Sequence, residues 1–198
     1  MRQAMLAGTV ALLMSAAPAF AQASYPQTEP KKPAAERPAA KGAAANDSTF
    51  VTNVARDGMA EVELGKLATE KASNAQVKQF GQRMVDDHGK ANDELKTLAQ
   101  NKNITIPTDL DAKHKATRDR LAKLSGEAFD HAYMQEMVTD HRKAVNAFRM
   151  ESKSGKDADV KAFAAKTLPT LEEHLKQAQE AHRAVGTSGT VTKKPAKK

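Results

Sequence analysis

The sequence predicts an all-α protein, an antiparallel four-helix bundle with a short extra helix in its long central connection. Apolar residues recur every three or four positions in four stretches, β-strand signals are few, and capping or breaking residues separate the stretches. Each stretch suits a helix of about 25 residues, which is about 37 Å long. Because each helix carries one apolar stripe, the four helices are expected to bury their stripes against one another.

The first two long helices form a predicted hairpin. The first begins near Asp47 or Ser48, both favourable N-cap residues, and the segment 71–76 (KASNAQ) interrupts it. Ser73 or Asn74 can cap the second helix, and the short connection implies antiparallel neighbours. The apolar positions are Phe50, Val54, Leu64 and Ala68 in the first helix, and Val77, Phe80, Met84, Ala91, Leu95 and Leu98 in the second.

A long connection separates this hairpin from a second one. The segment 101–111 (NKNITIPTDLD) breaks the apolar pattern, and Thr108 with Asp111 resembles a capping box for a short helix that ends around 125–126. The third long helix follows, and the fourth starts at Asp157, after a short break. Their apolar positions are Phe129, Tyr133, Met137, Ala144 and Phe148 in the third, and Val160, Phe163, Leu168, Leu171, Leu175 and Ala178 in the fourth.

Both ends of the chain differ in composition from the helical region. Residues 1–21 have the basic, apolar and small-residue parts of a secretory signal peptide, with cleavage expected after Ala21. Residues 22–46 predict a disordered linker rich in Pro, Ala and Lys, and residues 186–198 a disordered basic tail. The helical domain is therefore expected over residues 47–185, exported to the periplasm or the cell envelope.

Composition and charge restrict the classes of partner. Residues 47–185 contain 22 basic and 22 acidic residues. The net charge of +7 therefore comes from the two ends of the chain, which together contain nine basic and two acidic residues. The basic ends predict at most weak contact with anionic envelope surfaces. A neutral domain without Trp offers no support for nucleic-acid binding, and no protein partner can be identified. Because the chain has no Cys, any metal would be held by His, Asp or Glu.

A repeated phrase carries the candidate site. The segments 84–91 (MVDDHGKA) and 137–144 (MVTDHRKA) agree at six of eight positions. In ideal helices, each phrase places its histidine near the centre of an apolar stripe. One carboxylate on the first helix also lies near the centre of its stripe, and one further histidine lies about 60° off the centre of the stripe on the fourth helix. Similar heights along the bundle are expected for all of them. The four candidate ligands for Fe, Zn, Mn or Cu are therefore Glu61, His88, His141 and His174.

Other interpretations of these residues remain open. A single inward histidine is more often a core residue than a ligand, and a metal-free network in which Glu61 accepts a proton from His88 or His141 would satisfy the same side chains. Methionines at helical spacing, such as Met84 and Met137, are typical of core packing rather than of a copper site. The sequence contains no phosphate loop and no nucleophile motif, so an enzyme is not expected.

Three segments resemble a known bacterial family, the domain of unknown function 4142: DGMAEVELGKLATEKASNAQVKQFGQRMVDDHGKANDELK, AFDHAYMQEMVTDHRKAV and VKAFAAKTLPTLEEHLKQAQ. The family consists of exported helical proteins, often labelled outer membrane proteins, in the ferritin-like superfamily. The resemblance thus implies a ferritin-like bundle, but it implies no activity.

The di-iron signature of the ferritin-like superfamily is absent from the chain. Such sites use Glu-x-x-His on two helices, whereas Val85, Val138 and Leu171 stand three residues before the inward histidines. The sequence therefore favours a non-enzymatic binding or structural component of the periplasm or cell envelope. The alternative is a metal-binding bundle with a redox, storage or stress role.

Overall fold

The computed structural model describes residues 45–188, and all of its secondary structure in that range is helical. The predicted signal peptide, most of the predicted linker and most of the predicted tail lie outside the described residues. The domain limits at 47 and 185 stay predictions. The helices are α1 (Ala45–Lys71), α2 (Ala75–Asn101), α3 (Ala112–Ala122), α4 (Gly126–Ser154) and α5 (Ala158–Ser188).

Two buried aspartates fix how the two hairpins are arranged. At one end of the bundle, the Asp130 carboxylate in the first turns of α4 accepts hydrogen bonds from the backbone N–H groups of Ser73 and Asn74, between α1 and α2. At the other end, Asp47 in the first turn of α1 accepts from the backbone N–H groups that follow α4. Helices α1 and α4 are therefore antiparallel neighbours.

The lysine after α2 defines the remaining pair. Lys102 Nζ lies 2.8 Å from an Asp157 carboxylate oxygen and 2.6 Å from one of Asp159, so α2 ends where α5 begins. The helices follow the order α1, α2, α5, α4 around the bundle, and every neighbour is antiparallel. The connection between α2 and α4 must then run the length of the bundle, and α3 lies within it against α1 and α4. The predicted fold, including the crossover helix, is confirmed.

The helix ends agree with the sequence in part. The Asn74 side chain caps α2 by accepting from the N–H groups of Gln76 and Val77, as expected. Asp111 is the N-cap of α3. Helix α1 starts at Ala45, two residues before the predicted cap, and the Asp47 carboxylate in its first turn binds the loop before α5.

The bundle core consists of two apolar clusters with a polar layer between them. One cluster lies at the end where α4 begins, and the other lies where α5 begins. Each long helix passes from one cluster to the other at a polar residue. These four residues are Glu61 on α1, His88 on α2, His141 on α4 and His174 on α5. Within the described residues, no helix is both long and apolar enough to span a membrane.

Two glycines allow α1 and α2 to approach closely beside this layer. A Cβ atom on Gly81 would lie 2.6 Å from the Ala68 Cβ and 2.9 Å from the Gly65 carbonyl oxygen. Both contacts are shorter than van der Waals distance, so a side chain at this position would push the two helices apart.

We expect Gly81→Ala to lower the free energy of unfolding by about 1–3 kcal/mol, since the added methyl group overpacks the contact between α1 and α2. Gly89→Ala on the same helix is the matched control, because a Cβ there meets nothing within 4 Å. The free energy of unfolding of this control should rise by about 0.5–1 kcal/mol, because alanine has a higher helix propensity than glycine. Urea unfolding followed by circular dichroism measures both values. A shift of both variants in the same direction would contradict the close packing at Gly81.

Candidate metal centre

Three histidines from three different helices meet in the polar layer. His88, His141 and His174 have ring centroids 5.4 to 5.6 Å apart, and one nitrogen from each lies within 4.8 Å of the other two. The side chains of His141 and His174 are 1% exposed. We call these three residues the histidine triad.

The orientation of His141 is fixed by its own helix. Its Nδ1 lies 3.0 Å from the backbone carbonyl oxygen of Met137. A carbonyl oxygen only accepts, so Nδ1 carries the proton and Nε2 carries a lone pair. This Nε2 is buried and has no hydrogen-bond partner.

The orientation of His174 is fixed by a carboxylate on α2. Its Nε2 lies 3.0 Å from an Asp87 oxygen that also accepts a 3.1 Å hydrogen bond from Arg83 Nε. Burial raises the pKa of Asp87, but the hydrogen bonds from His174 and Arg83 outweigh it and leave this pKa below its ordinary value. The carboxylate is therefore an acceptor, and His174 presents the lone pair of its buried, unpartnered Nδ1 to the triad.

All three imidazoles are held in the neutral form. Burial lowers the pKa of His88 well below its ordinary value, and the nearby His141 and His174 rings lower it further. Burial, together with His174, lowers the pKa of His141 to about 3. Burial also lowers the pKa of His174, although Asp87 partly opposes the shift. A neutral imidazole is the form that binds a metal.

The triad fits a transition-metal ion by its donor set. Each residue contributes one buried nitrogen without a partner: Nε2 of His88, Nε2 of His141 and Nδ1 of His174. Two nitrogens bound to one ion at about 2.0–2.1 Å lie about 3.5 Å apart or less. One nitrogen of each ring lies within 4.8 Å of one nitrogen of each other ring, so modest side-chain rotation would bring three imidazole nitrogens onto one ion.

Glu61, the fourth predicted ligand, lies beside the triad rather than within the group of three. Its Oε1 is 3.8 Å from Nδ1 of His141, the nitrogen that already donates to Met137. Its Oε2 is buried without a hydrogen-bond partner. Burial raises the pKa of Glu61 well above its ordinary value, and Asp140 and Asp57 raise it further. Glu61 is thus a buried carboxyl group next to the triad, and its surroundings disfavour its charged form.

Sequence reasoning missed two features of the histidines. Asp87, which helix phase places at the edge of the α2 stripe, orients His174. His131 on α4 and His182 on α5 have ring centroids 5.1 Å apart. Helix phase alone identifies inward residues but does not say which side chains meet.

Comparisons with known proteins agree with the fold. The model of a family described as a domain of unknown function, DUF4142, matches residues 32–181. No curated protein matches the chain in sequence.

Solved structures with the same fold share little sequence with the chain. A DUF305 fragment from Deinococcus radiodurans has 13% identity and a TM-score of 0.62, over 73% of this chain and 98% of that one. A DUF305 protein from Streptomyces coelicolor has 13% identity and a TM-score of 0.61, over 71% of this chain and 92% of that one. CopM in its Cu(I)-bound form has 16% identity and a TM-score of 0.59, over 70% and 96%. At these identities the likeness is one of fold.

The metal-free protein is expected to lose stability in mild acid. Between the ordinary histidine pKa of about 6.5 and the folded value for His141 of about 3, the unfolded state binds more protons, so the free energy of unfolding falls as pH decreases. At pH 5, His141 alone should lower this free energy by about 2 kcal/mol relative to pH 8. Glu61, Asp57 and Glu151 act in the opposite direction because their folded pKa values are raised, so the comparison of a histidine variant with the wild type isolates the contribution of His141.

Urea unfolding in the presence of a chelator at pH 8, 6.5 and 5 measures this effect. His141→Gln should show a shallower loss of stability than the wild type. His131→Gln is the control, since His131 is exposed and lies outside the triad. An unchanged pH dependence in His141→Gln would contradict the buried neutral state of His141.

Proposed function

The chain belongs to the DUF4142 family, and we propose that it binds a transition-metal ion through His88, His141 and His174. Copper is the preferred ion, and zinc is the alternative. The observation that carries this proposal is the convergence of three buried, unpartnered imidazole nitrogens from three helices.

The energetic cost of the triad favours a ligand over simple packing. A buried polar atom without a hydrogen bond costs about 1–3 kcal/mol, and three such atoms share one small space here. One cation would satisfy all three lone pairs at once. A metal-free proton network with Glu61 is less well supported, because its carboxyl group is 3.8 Å from His141 Nδ1, which already donates to a carbonyl.

The donor set favours copper or zinc over iron or manganese. Imidazole suits copper and zinc, whereas manganese prefers carboxylates and mononuclear iron sites commonly combine two histidines with a carboxylate. The three converging ligands are neutral, so the bound ion keeps its full charge in a buried layer. A monovalent ion is cheaper to bury than a divalent one, which favours Cu(I). CopM, which shares the fold, has been observed in a Cu(I)-bound form.

Asp87 would support the metal without touching it. A metal-binding histidine commonly donates its second N–H to a carboxylate, which fixes the ring and increases its basicity as a ligand. The Asp87 carboxylate accepts this hydrogen bond from His174, and the backbone carbonyl of Met137 accepts it from His141. Two of the three ligands are therefore already oriented for a metal.

The proposed biological role is binding of metal ions outside the cytoplasm, as a carrier or store in the periplasm or cell envelope. The predicted signal peptide supports the location, and the lack of a nucleophile motif supports a non-catalytic role. The alternative role, a structural component of the envelope, predicts that the triad binds no metal.

We expect the mature protein, starting after residue 21, to bind one copper ion per chain when loaded anaerobically with Cu(I). The ion should be lost in the double variant His88→Ala with His141→Ala, because two of the three nitrogens are removed. Elemental analysis after desalting measures the stoichiometry, and the thermal midpoint should rise on loading only in the wild type.

The matched control is His131→Ala with His182→Ala, which removes the same residue types from α4 and α5 outside the triad. This control should keep its ion. Metal retention in the triad variant, or no bound metal in the wild type together with a thermal midpoint unaffected by Cu, Zn, Fe or Mn, would refute the proposal.

A further inference from the structure

A cavity reaches from the surface to two histidines of the triad. It has a volume of about 220 Å³, and its lining includes Glu61, His88 and His141, as well as the more exposed Asp57 and Asp140. The side chain of Asp57 is 64% exposed, that of Asp140 26%, that of Glu61 10% and that of His141 1%. This decrease in exposure gives the cavity an outer end at the two aspartates and an inner end at the triad.

A cation needs a path to the triad because the protein interior is close-packed. Among the described residues, two other cavities lie along the bundle, one beside Asp87 between α2 and α5 and one beside the crossover. Neither is lined by a histidine of the triad. The first cavity, by contrast, is lined by His88 and His141, so it reaches two of the three ligands.

The electric field inside the cavity suits a positive ion. Asp57 and Asp140 line the cavity together with the carboxyl group of Glu61, and acidic side chains in a cleft create a negative potential that attracts a cation. Two lysines also line the cavity, but Lys143 is paired with Asp140 at 3.1 Å, and its side chain is 62% exposed. An exposed lysine with a flexible side chain can swing away as a cation arrives.

The outer end of the cavity has its own nitrogen and oxygen donors. His114 Nε2 lies 3.4 Å from an Asp57 oxygen, and its Nδ1 is held by Asp111 at 2.9 Å. His114 comes from α3 in the crossover, so this contact joins α3 to α1 at the outer end of the cavity. An arriving cation would find a carboxylate and an imidazole there, then the carboxyl group of Glu61, and finally the triad.

We propose that this cavity is the entry route for the metal ion, with Asp57 and Asp140 drawing the cation in and Glu61 as the intermediate contact before His88 and His141. The inference rests on the proposed function of the triad. Clefts with charged walls raise the association rate of oppositely charged ligands, and this effect decreases with ionic strength. The two aspartates should therefore act mainly on the rate of binding.

The test is stopped-flow binding of Co²⁺, whose visible absorption reports coordination directly. Asp57→Asn with Asp140→Asn should associate at least threefold more slowly than the wild type at low ionic strength, and the difference should shrink at high salt. Asp93→Asn with Asp119→Asn is the matched control, because it removes the same charge at exposed positions outside this cavity. This control should bind at the wild-type rate.

A second variant tests the path by sterics instead of charge. Ala144 lines the cavity one turn after His141 on α4, and Ala144→Leu should slow both association and dissociation because it narrows the route. Wild-type rates in both the charge variant and Ala144→Leu would overturn the entry route while leaving the triad intact. No Co²⁺, Cu or Zn binding by the wild type would instead refute the proposed function, and the entry route with it.

Discussion

The structure depends on one physical constraint, the enclosure of three neutral imidazoles in a layer between two apolar clusters. His141 and His174 are buried and held by hydrogen bonds, and His88 is half-buried. Each of the three rings has one buried nitrogen without a partner. An apolar residue at any of these positions would pack without that cost. The bundle therefore holds an arrangement that is unfavourable for packing and well suited to coordinating a metal.

The topology brings the histidines to one height. Helices α2 and α4 run in parallel, and His88 and His141 lie about 20 Å and about 22 Å from the starts of these helices at 1.5 Å per residue. The two copies of the repeated phrase therefore place their histidines in the same layer of the bundle. The crossover, which includes α3, lets α4 start at the same end of the bundle as α2, and the buried Asp47 and Asp130 fix the loops at both ends.

The sequence predicts the helices, the crossover and the inward direction of the four polar residues because these follow from periodicity and helix caps. It does not predict which nitrogen each ring presents, since that depends on Met137 and Asp87, a backbone carbonyl and a residue at the edge of a stripe. For the same reason, the position of Glu61 on the Nδ1 side of His141 becomes visible only in three dimensions. The cavity is built by residues from all five helices, so no local pattern in the sequence could reveal it.

The most direct test of metal binding by the histidine triad is X-ray absorption spectroscopy of the copper-loaded protein at the copper edge. Coordination by the triad predicts three nitrogen ligands at about 2.0 Å with the outer-shell scattering of three imidazole rings, and no sulfur ligand. A spectrum dominated by sulfur at about 2.3 Å, or by oxygen ligands without imidazole scattering, would contradict the histidine triad as the metal site.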